Sequence, residues 1–278
     1  MINTNKSDLP SIFERAVGSP RKPVVGRFSA TDISAPSFQR VLKERHWGAI
    51  EQDIRDCMFM LMGTAFHMLM EKYTTKSCLC EYHVSKVHNG ITVSGVVDCY
   101  DTVNRTIIDY KTTSASSIMY NEGPKPEWVK QLNIYRSLLE SEGHVVDHMK
   151  IIAIARDWQS AKTKYDRNYP KSPILEVEVP VIDTWAMVDE WLERYNNAVP
   201  CNSEEKWERP TKYAVIKKNA KRAIRLYDKE EDAVQHVQHS RDQLTYEVRE
   251  GSFGRCDGYC NVANVCPFAG GLGDEIQI

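Results

Sequence analysis

Two aspartates and a lysine carry the first chemical signal in the sequence. Asp109 and Lys111 stand two apart in RTIIDYKTT, and Asp98 comes before them in ITVSGVVDCYD. Both stretches are rich in β-branched residues. The period of two in a strand puts Asp109 and Lys111 on one face of the later strand, and Asp98 with Val96 and Ser94 on one face of the earlier one. Where two such strands are neighbours, the carboxylates converge on one point with the ammonium beside it. Hard oxygen ligands of this kind bind Mg2+ or Mn2+; the cation acidifies water and polarises a phosphate, and a lysine steadies the negative charge that develops. That is the equipment of phosphodiester hydrolysis. An isolated D-x-K is more often an ordinary ion pair on a solvated strand, so the weight of the reading rests on its neighbours.

Gly63 and His67 lie four apart in an apolar helical stretch, with Glu71 one turn further on, and Gln131 and Tyr135 repeat the spacing downstream. A histidine in such a helix is as readily a hydrogen-bonded core residue as a ligand. The chain has eight cysteines. In GRCDGYCNVANVCPF, Cys256, Cys260 and Cys266 stand among turn formers with Pro267 directly behind, which suits a metal-binding knuckle better than a packing unit. Cys201, after Pro200 in a polar loop, is the expected fourth ligand, with Cys78 and Cys80 as competitors; Cys57 and Cys99 read as core thiols. From 209 to 225 the run RPTKYAVIKKNAKRAIR holds seven basic residues, Arg209, Lys212, Lys217, Lys218, Lys221, Arg222 and Arg225, and no acid. It reads either as a strip that contacts phosphates or as a solvated basic surface.

These residues need a scaffold, and 278 residues at 42% hydrophobic content are enough to build one with a sizeable core. The 36 Lys+Arg against 38 Asp+Glu leave no global basic footprint, so any nucleic-acid contact must come from a local concentration of charge. No apolar run reaches the roughly 18 residues of a membrane span. The start MINTNKSDLP lacks a secretory pattern, so a cytoplasmic protein with reduced thiols is expected, without a disulfide framework. Residues 1–30, punctuated by proline and glycine, read as an extended arm. A turn and helix follow Ser29, with Ser34 or Ser37 as cap, and the stretch 51–74 reads as a helix apolar nearly all round, hence a core helix. Strands are expected over 81–87, 91–100, 104–112, 149–155 and 174–179, the first two joined by the turn dipeptide Asn89-Gly90. Helices are expected over 127–142 and 182–198. This is an α/β reading: one mixed β-sheet flanked by helices over 31–200. A third region, 201–278, carries the basic segment, a helix over 228–250 and the cysteine tail.

In their order the motifs resemble the PD-(D/E)XK nucleases, and within them the RecB-like branch. That branch runs G-x-x-x-H, G-x-x-D, (D/E)-x-K and Q-x-x-x-Y; here the four are Gly63 with His67, Gly95 with Asp98, Asp109 with Lys111, and Gln131 with Tyr135. Val97 stands where the superfamily name has proline, and the second acid is Asp109 instead of glutamate. The resemblance implies a restriction-endonuclease-like core. It implies that His67, Asp98, Asp109 and the Tyr110 carbonyl hold catalytic Mg2+ or Mn2+, that Lys111 is the catalytic lysine, and that Gln131 and Tyr135 orient the substrate. It also implies a [4Fe–4S] cluster on Cys201, Cys256, Cys260 and Cys266, with structural Zn2+ as the alternative that thiolate chemistry leaves open. The expected activity is a deoxyribonuclease, an exonuclease of phage-type recombination or end processing, placed in the host cytoplasm if phage-encoded. Its partners would be DNA and a single-strand annealing or recombination protein. The competing expectations are an end-trimming nuclease of the CRISPR-adaptation kind and a non-catalytic DNA-binding or assembly protein on the same fold.

Overall fold

A computed structural model describes residues 1–119, 123–220 and 222–269. Its contacts fall into two units, one ending at Val199 and one beginning at Pro200. The first unit runs β1 (Ile2–Thr4), α1 (Ser11–Val17), β2 (Arg27–Ser29), α2 (Ala30–Ser34), α3 (Ser37–Arg45), β3 (Glu51–Asp53), α4 (Met58–Lys72), β4 (Cys78–His88), β5 (Ile91–Asp101), β6 (Thr106–Thr113), α5 (Ala115–Met119), α6 (Pro126–Ser141), β7 (His148–Ala155), β8 (Ile174–Glu178) and α7 (Thr184–Asn196).

The centre of this unit is a mixed sheet in the order β2-β5-β6-β7-β8, with β4 also paired to β5. Asn89 and Gly90 both take positive φ, 46° and 80°, which is what a tight hairpin between β4 and β5 requires. The antiparallel register then runs from His88↔Ile91 to Cys78↔Asp101. Asp101 closes the next turn, its carboxylate accepting the N–H groups of Val103 and Asn104, and β6 returns antiparallel to β5 through Cys99↔Ile108. Helix α6 separates β6 from β7, which allows those two strands to run parallel. Its Leu132, Ile134, Leu138 and Leu139 are fully buried in a core shared with Phe28, Val93, Val97, Ile107, Ile151, Val188 and Trp191. The mixed sheet flanked by helices agrees with the restriction-endonuclease-like core expected from the sequence.

Several local expectations are corrected. Residues 1–30 are not an extended arm: β1 pairs parallel with β3, α1 is helical, and β2 joins the main sheet parallel to β5. The cap after residue 28 is Ser29, in a reciprocal capping box with Asp32, and neither Ser34 nor Ser37. The stretch 51–74 begins as strand β3 and a 3-10 turn, Ile54–Cys57, before α4. No residue of α4 is buried; Phe59, Met60, Met62, Met68 and Leu69 are all exposed. The apolar pattern reads as a core helix because periodicity reports composition, whereas burial depends on what packs against the helix. Among the described residues, α4 rests mainly on β6, β5 and the preceding 3-10 turn.

The second unit holds β9 (Glu208–Arg209), β10 (Lys212–Lys217), β11 (Ala223–Tyr227), α8 (Glu230–His239), β12 (Leu244–Arg249), β13 (Ser252–Phe253) and α9 (Gly254–Gly258). Strands β11, β10 and β12 form an antiparallel sheet in that order, and β9 pairs with β13. The expected single helix over 228–250 is therefore α8 followed by β12. The sequence Leu244-Thr-Tyr-Glu-Val-Arg alternates and is rich in β-formers, and it pairs along the whole of β10. Among the described residues no helix is long and apolar enough to cross a membrane.

Candidate active site

Asp98 and Asp109 meet where β5 and β6 part. Beyond the pair Cys99↔Ile108 the two strands no longer bond each other, and Asp98 Oδ2 accepts the Tyr110 N–H at 2.9 Å instead. Asp109 is 1% exposed, and both its oxygens face the Lys111 ammonium, at 3.0 and 2.8 Å. Burial and then the charge of Asp109 push the Asp98 carboxyl up to about 7, against the opposing pull of Lys111 and His67. Two carboxylates thus share a poorly hydrated place with one ammonium between them. Despite the short contact with Lys111, Asp109 Oδ2 is buried without a properly directed hydrogen bond.

His67 reaches this place from α4. Its Nε2 donates to the Tyr110 carbonyl at 2.9 Å, which in the neutral ring leaves the Nδ1 lone pair facing Asp98 Oδ1 at 3.6 Å and Glu81 Oε1 at 3.8 Å. The Tyr110 carbonyl, expected as a free ligand, is already the acceptor for His67 and keeps one lone pair for anything else. Glu81 is the residue that sequence reasoning missed. It drops out of the β4–β5 register between Cys80↔Cys99 and Tyr82↔Val97, directly across from Asp98, and takes φ of 47° inside a strand. A non-glycine residue in that region is strained, and strain of this kind clusters at functional sites, though Asp8, Arg105 and Ala198 take positive φ elsewhere. His67, Glu81 and Asp98 present ligand atoms all within 4.8 Å of one another. The only trace in the sequence is a glutamate beside Cys80, and its significance depends on a cross-strand register that periodicity does not supply.

A hard divalent cation fits this donor set. The oxygens of Asp98 and Glu81 with one imidazole nitrogen suit Mg2+ or Mn2+, and the reluctant Asp98 carboxyl gains from a positive charge; Asp109, both of whose oxygens face Lys111, stands outside that close group. Beside them, Gln131 donates to the Tyr135 hydroxyl at 2.7 Å. Burial, then Asp109, raises the Tyr135 pKa further above its ordinary range, so the phenol keeps its proton. Gly95 couples two of these motifs: a Cβ there would lie 2.5 and 2.8 Å from two carbons of the Tyr135 ring. The glycine of one motif makes room for the tyrosine of another. Gly63 is less constrained, since a Cβ would meet only Thr112 Oγ1, at 3.5 Å.

The cysteines separate into groups, and all eight are free thiols. In the second unit Cys201 feels the charges of Cys260, Cys266 and Cys256, and burial followed by Glu205 and these neighbours pushes its thiol up to about 12. Burial likewise raises Cys256 and Cys260, each next to other members of the same set. Cys78 and Cys80, the competitors for the fourth place, lie instead on β4 beside Cys99. Of the basic segment, Arg209 lies in β9, Lys212 and Lys217 in β10 and Arg225 in β11, with Lys218 directly after β10 and Arg222 directly before β11. Lys212 pairs with Asp228, Lys217 lies 3.3 Å from Asp242, and Arg225 stacks over Tyr227. Lys221 lies outside the described residues.

Comparison with known proteins gives three findings. No curated protein matches the chain. Among solved structures, the crystal structure of SSO0001 is similar with a TM-score of 0.49 and 14% identity, over 70% of this chain and 87% of that one. The sequence also matches the family described as the PD-(D/E)XK nuclease superfamily over residues 39–267, a span that takes in every catalytic motif and the C-terminal cysteines. By that match the chain belongs to the PD-(D/E)XK nuclease superfamily.

Proposed function

We propose that the protein is a metal-dependent deoxyribonuclease of the RecB-like branch, an exonuclease that processes DNA ends in recombination of the phage type. One observation carries the reading: the buried carboxylate of Asp109 and the partly buried one of Asp98 converge beside a lysine and a histidine. His67, Glu81, Asp98 and Asp109 would hold Mg2+ or Mn2+. When bound, the cation supplies Lewis-acid polarisation of a phosphoryl oxygen and acidifies water. Asp109 anchors the Lys111 ammonium, which offers its charge to the phosphate as negative charge develops on the phosphoryl oxygens. Gln131 holds the Tyr135 hydroxyl, which keeps a proton to donate toward a phosphate oxygen. His67 is fixed by the Tyr110 carbonyl, so its Nδ1 stays aimed at the carboxylates.

Cys201, Cys256, Cys260 and Cys266 would hold a [4Fe–4S] cluster or one Zn2+, tying the end of the second unit to its beginning. The thiol donor set suits either group, and visible absorption of anaerobically purified protein against zinc by elemental analysis separates them. The basic strands would follow the phosphate backbone.

The activity is tested with end-labelled linear and circular DNA, single- and double-stranded, in Mg2+ or Mn2+. Linear DNA should be shortened from its ends and circles spared. Asp109→Asn and Lys111→Met should each lower the rate at least about 100-fold. Cleavage of circles would remove the exonuclease assignment, and full activity in both variants would remove the site.

A further inference from the structure

Three thiols gather on the β4–β5 ladder, and neither the nuclease reading nor the C-terminal set makes use of them. Cys80 and Cys99 are direct cross-strand partners, and Cys78 lies two residues along β4, on the same side of the strand as Cys80. Cys99 is buried, directly across the ladder from Cys80 and diagonal to Cys78. The two outer thiols are half-buried. A hydroxyl addresses each of them: Thr74 Oγ1 lies 2.8 Å from Cys80 Sγ, and Thr75 Oγ1 lies 3.4 Å from Cys78 Sγ.

Packing accounts for Cys99. It does not account for two half-exposed thiols alternating on a strand, where a small hydrophobe gains little. With a Zn–S bond of ~2.3 Å, two sulfurs on one tetrahedral ion are ~3.8 Å apart; the three sulfurs do not yet all lie within 4.8 Å of one another, so a shared ion must draw them together.

We propose that Cys78, Cys80 and Cys99 form a second metal site that takes a soft d10 cation such as Zn2+, with a solvent oxygen completing its sphere. On binding, each S–H bond is replaced by a sulfur–metal bond, the protons pass to solvent, and no electron changes hands. A cation seated beside Cys99 reaches the flanking sulfurs by side-chain rotation, and the Thr74 and Thr75 hydroxyls then donate to the thiolates as outer-sphere partners. Donor chemistry keeps the two metals apart: carboxylates take the hard ion and thiolates the soft one. Cys80 adjoins Glu81 and Cys99 adjoins Asp98, so the soft cation would pin the ladder beside the catalytic carboxylates.

The test uses full-length protein reduced with a phosphine, stripped with a chelator and alkylated with iodoacetamide, with modification read peptide by peptide. Near-stoichiometric Zn2+ should slow alkylation of Cys78 and Cys80 by roughly tenfold or more, whereas Mg2+ should not. In a cadmium titration followed by thiolate-to-metal charge transfer, the double variant Cys78→Ser/Cys80→Ser should bind one ion fewer while the C-terminal cysteines keep their protection. Equal alkylation with and without Zn2+, equal protection by Mg2+, or an undiminished cadmium stoichiometry in the variant would each overturn the site. The alkylation result decides alone if the variant does not fold.

Discussion

Asp98 would link metal binding to pH. Its carboxyl is held near 7 in the fold against 3.8 as an ordinary aspartate, by burial first and by Asp109 second. Below the ordinary value both folded and unfolded chains are protonated. Between the two values the unfolded chain ionises while the fold keeps its proton, so the metal-free protein loses stability as pH rises through that window and levels off above it. A divalent cation must displace the same proton, so its apparent affinity should fall about tenfold per pH unit below pH ~7. Isothermal titration of Mn2+ between pH 5.5 and 8, together with thermal melts with and without the ion, reads both slopes. A flat affinity profile would mean that Asp98 does not ligate. The D-x-K pair and Asp98 are legible in the sequence because strand alternation fixes which residues share a face. Glu81 is not, because its place depends on a register and on a left-handed backbone angle that a glutamate gives no sign of adopting.

At the level of elements, motif glycines divide into one with a packing partner and one without. Gly95→Ala drives a methyl into the Tyr135 ring and should cost about 1–3 kcal/mol, as overpacking does, with loss of activity as Tyr135 shifts away from the carboxylates. Gly63→Ala meets only an ordinary contact inside a helix and should be neutral or stabilising by up to ~1 kcal/mol. Urea denaturation of the two variants checks the pair; equal destabilisation would place the constraint in the backbone instead of in Tyr135. The hairpin at Asn89-Gly90 and helix α6 are legible because turn chemistry and apolar spacing are local. The end of α8 is not: no Gly or Pro between His239 and Gln243 announces a stop, and the switch is decided by β12 finding β10 as a partner. Helix α4 misleads for the same reason in reverse, since its residues declare apolarity and the packing partners decide exposure.

For the whole molecule, the net charge of −2 conceals a concentration of base in the second unit. That concentration is partly answered within its own unit, Lys212 by Asp228 and Lys217 by Asp242. These surface pairs are solvated and weak, and they give way to a phosphate at little expense. Lys217→Glu with Lys218→Glu should therefore weaken DNA binding and reduce the slope of log K against log salt by up to ~0.9 per lost phosphate contact. Fluorescence anisotropy across a salt series measures this, and an unchanged slope would take the basic strands out of the DNA path. Five of the nine methionines, Met58, Met60, Met62, Met68 and Met70, sit on α4, which buries none of its residues. Peroxide would reach Met60, Met62 and Met68 before any core side chain and turn an oily face into a polar sulfoxide one. Because those side chains hold little of the core together, the molecule can take that damage on its outside and stay folded.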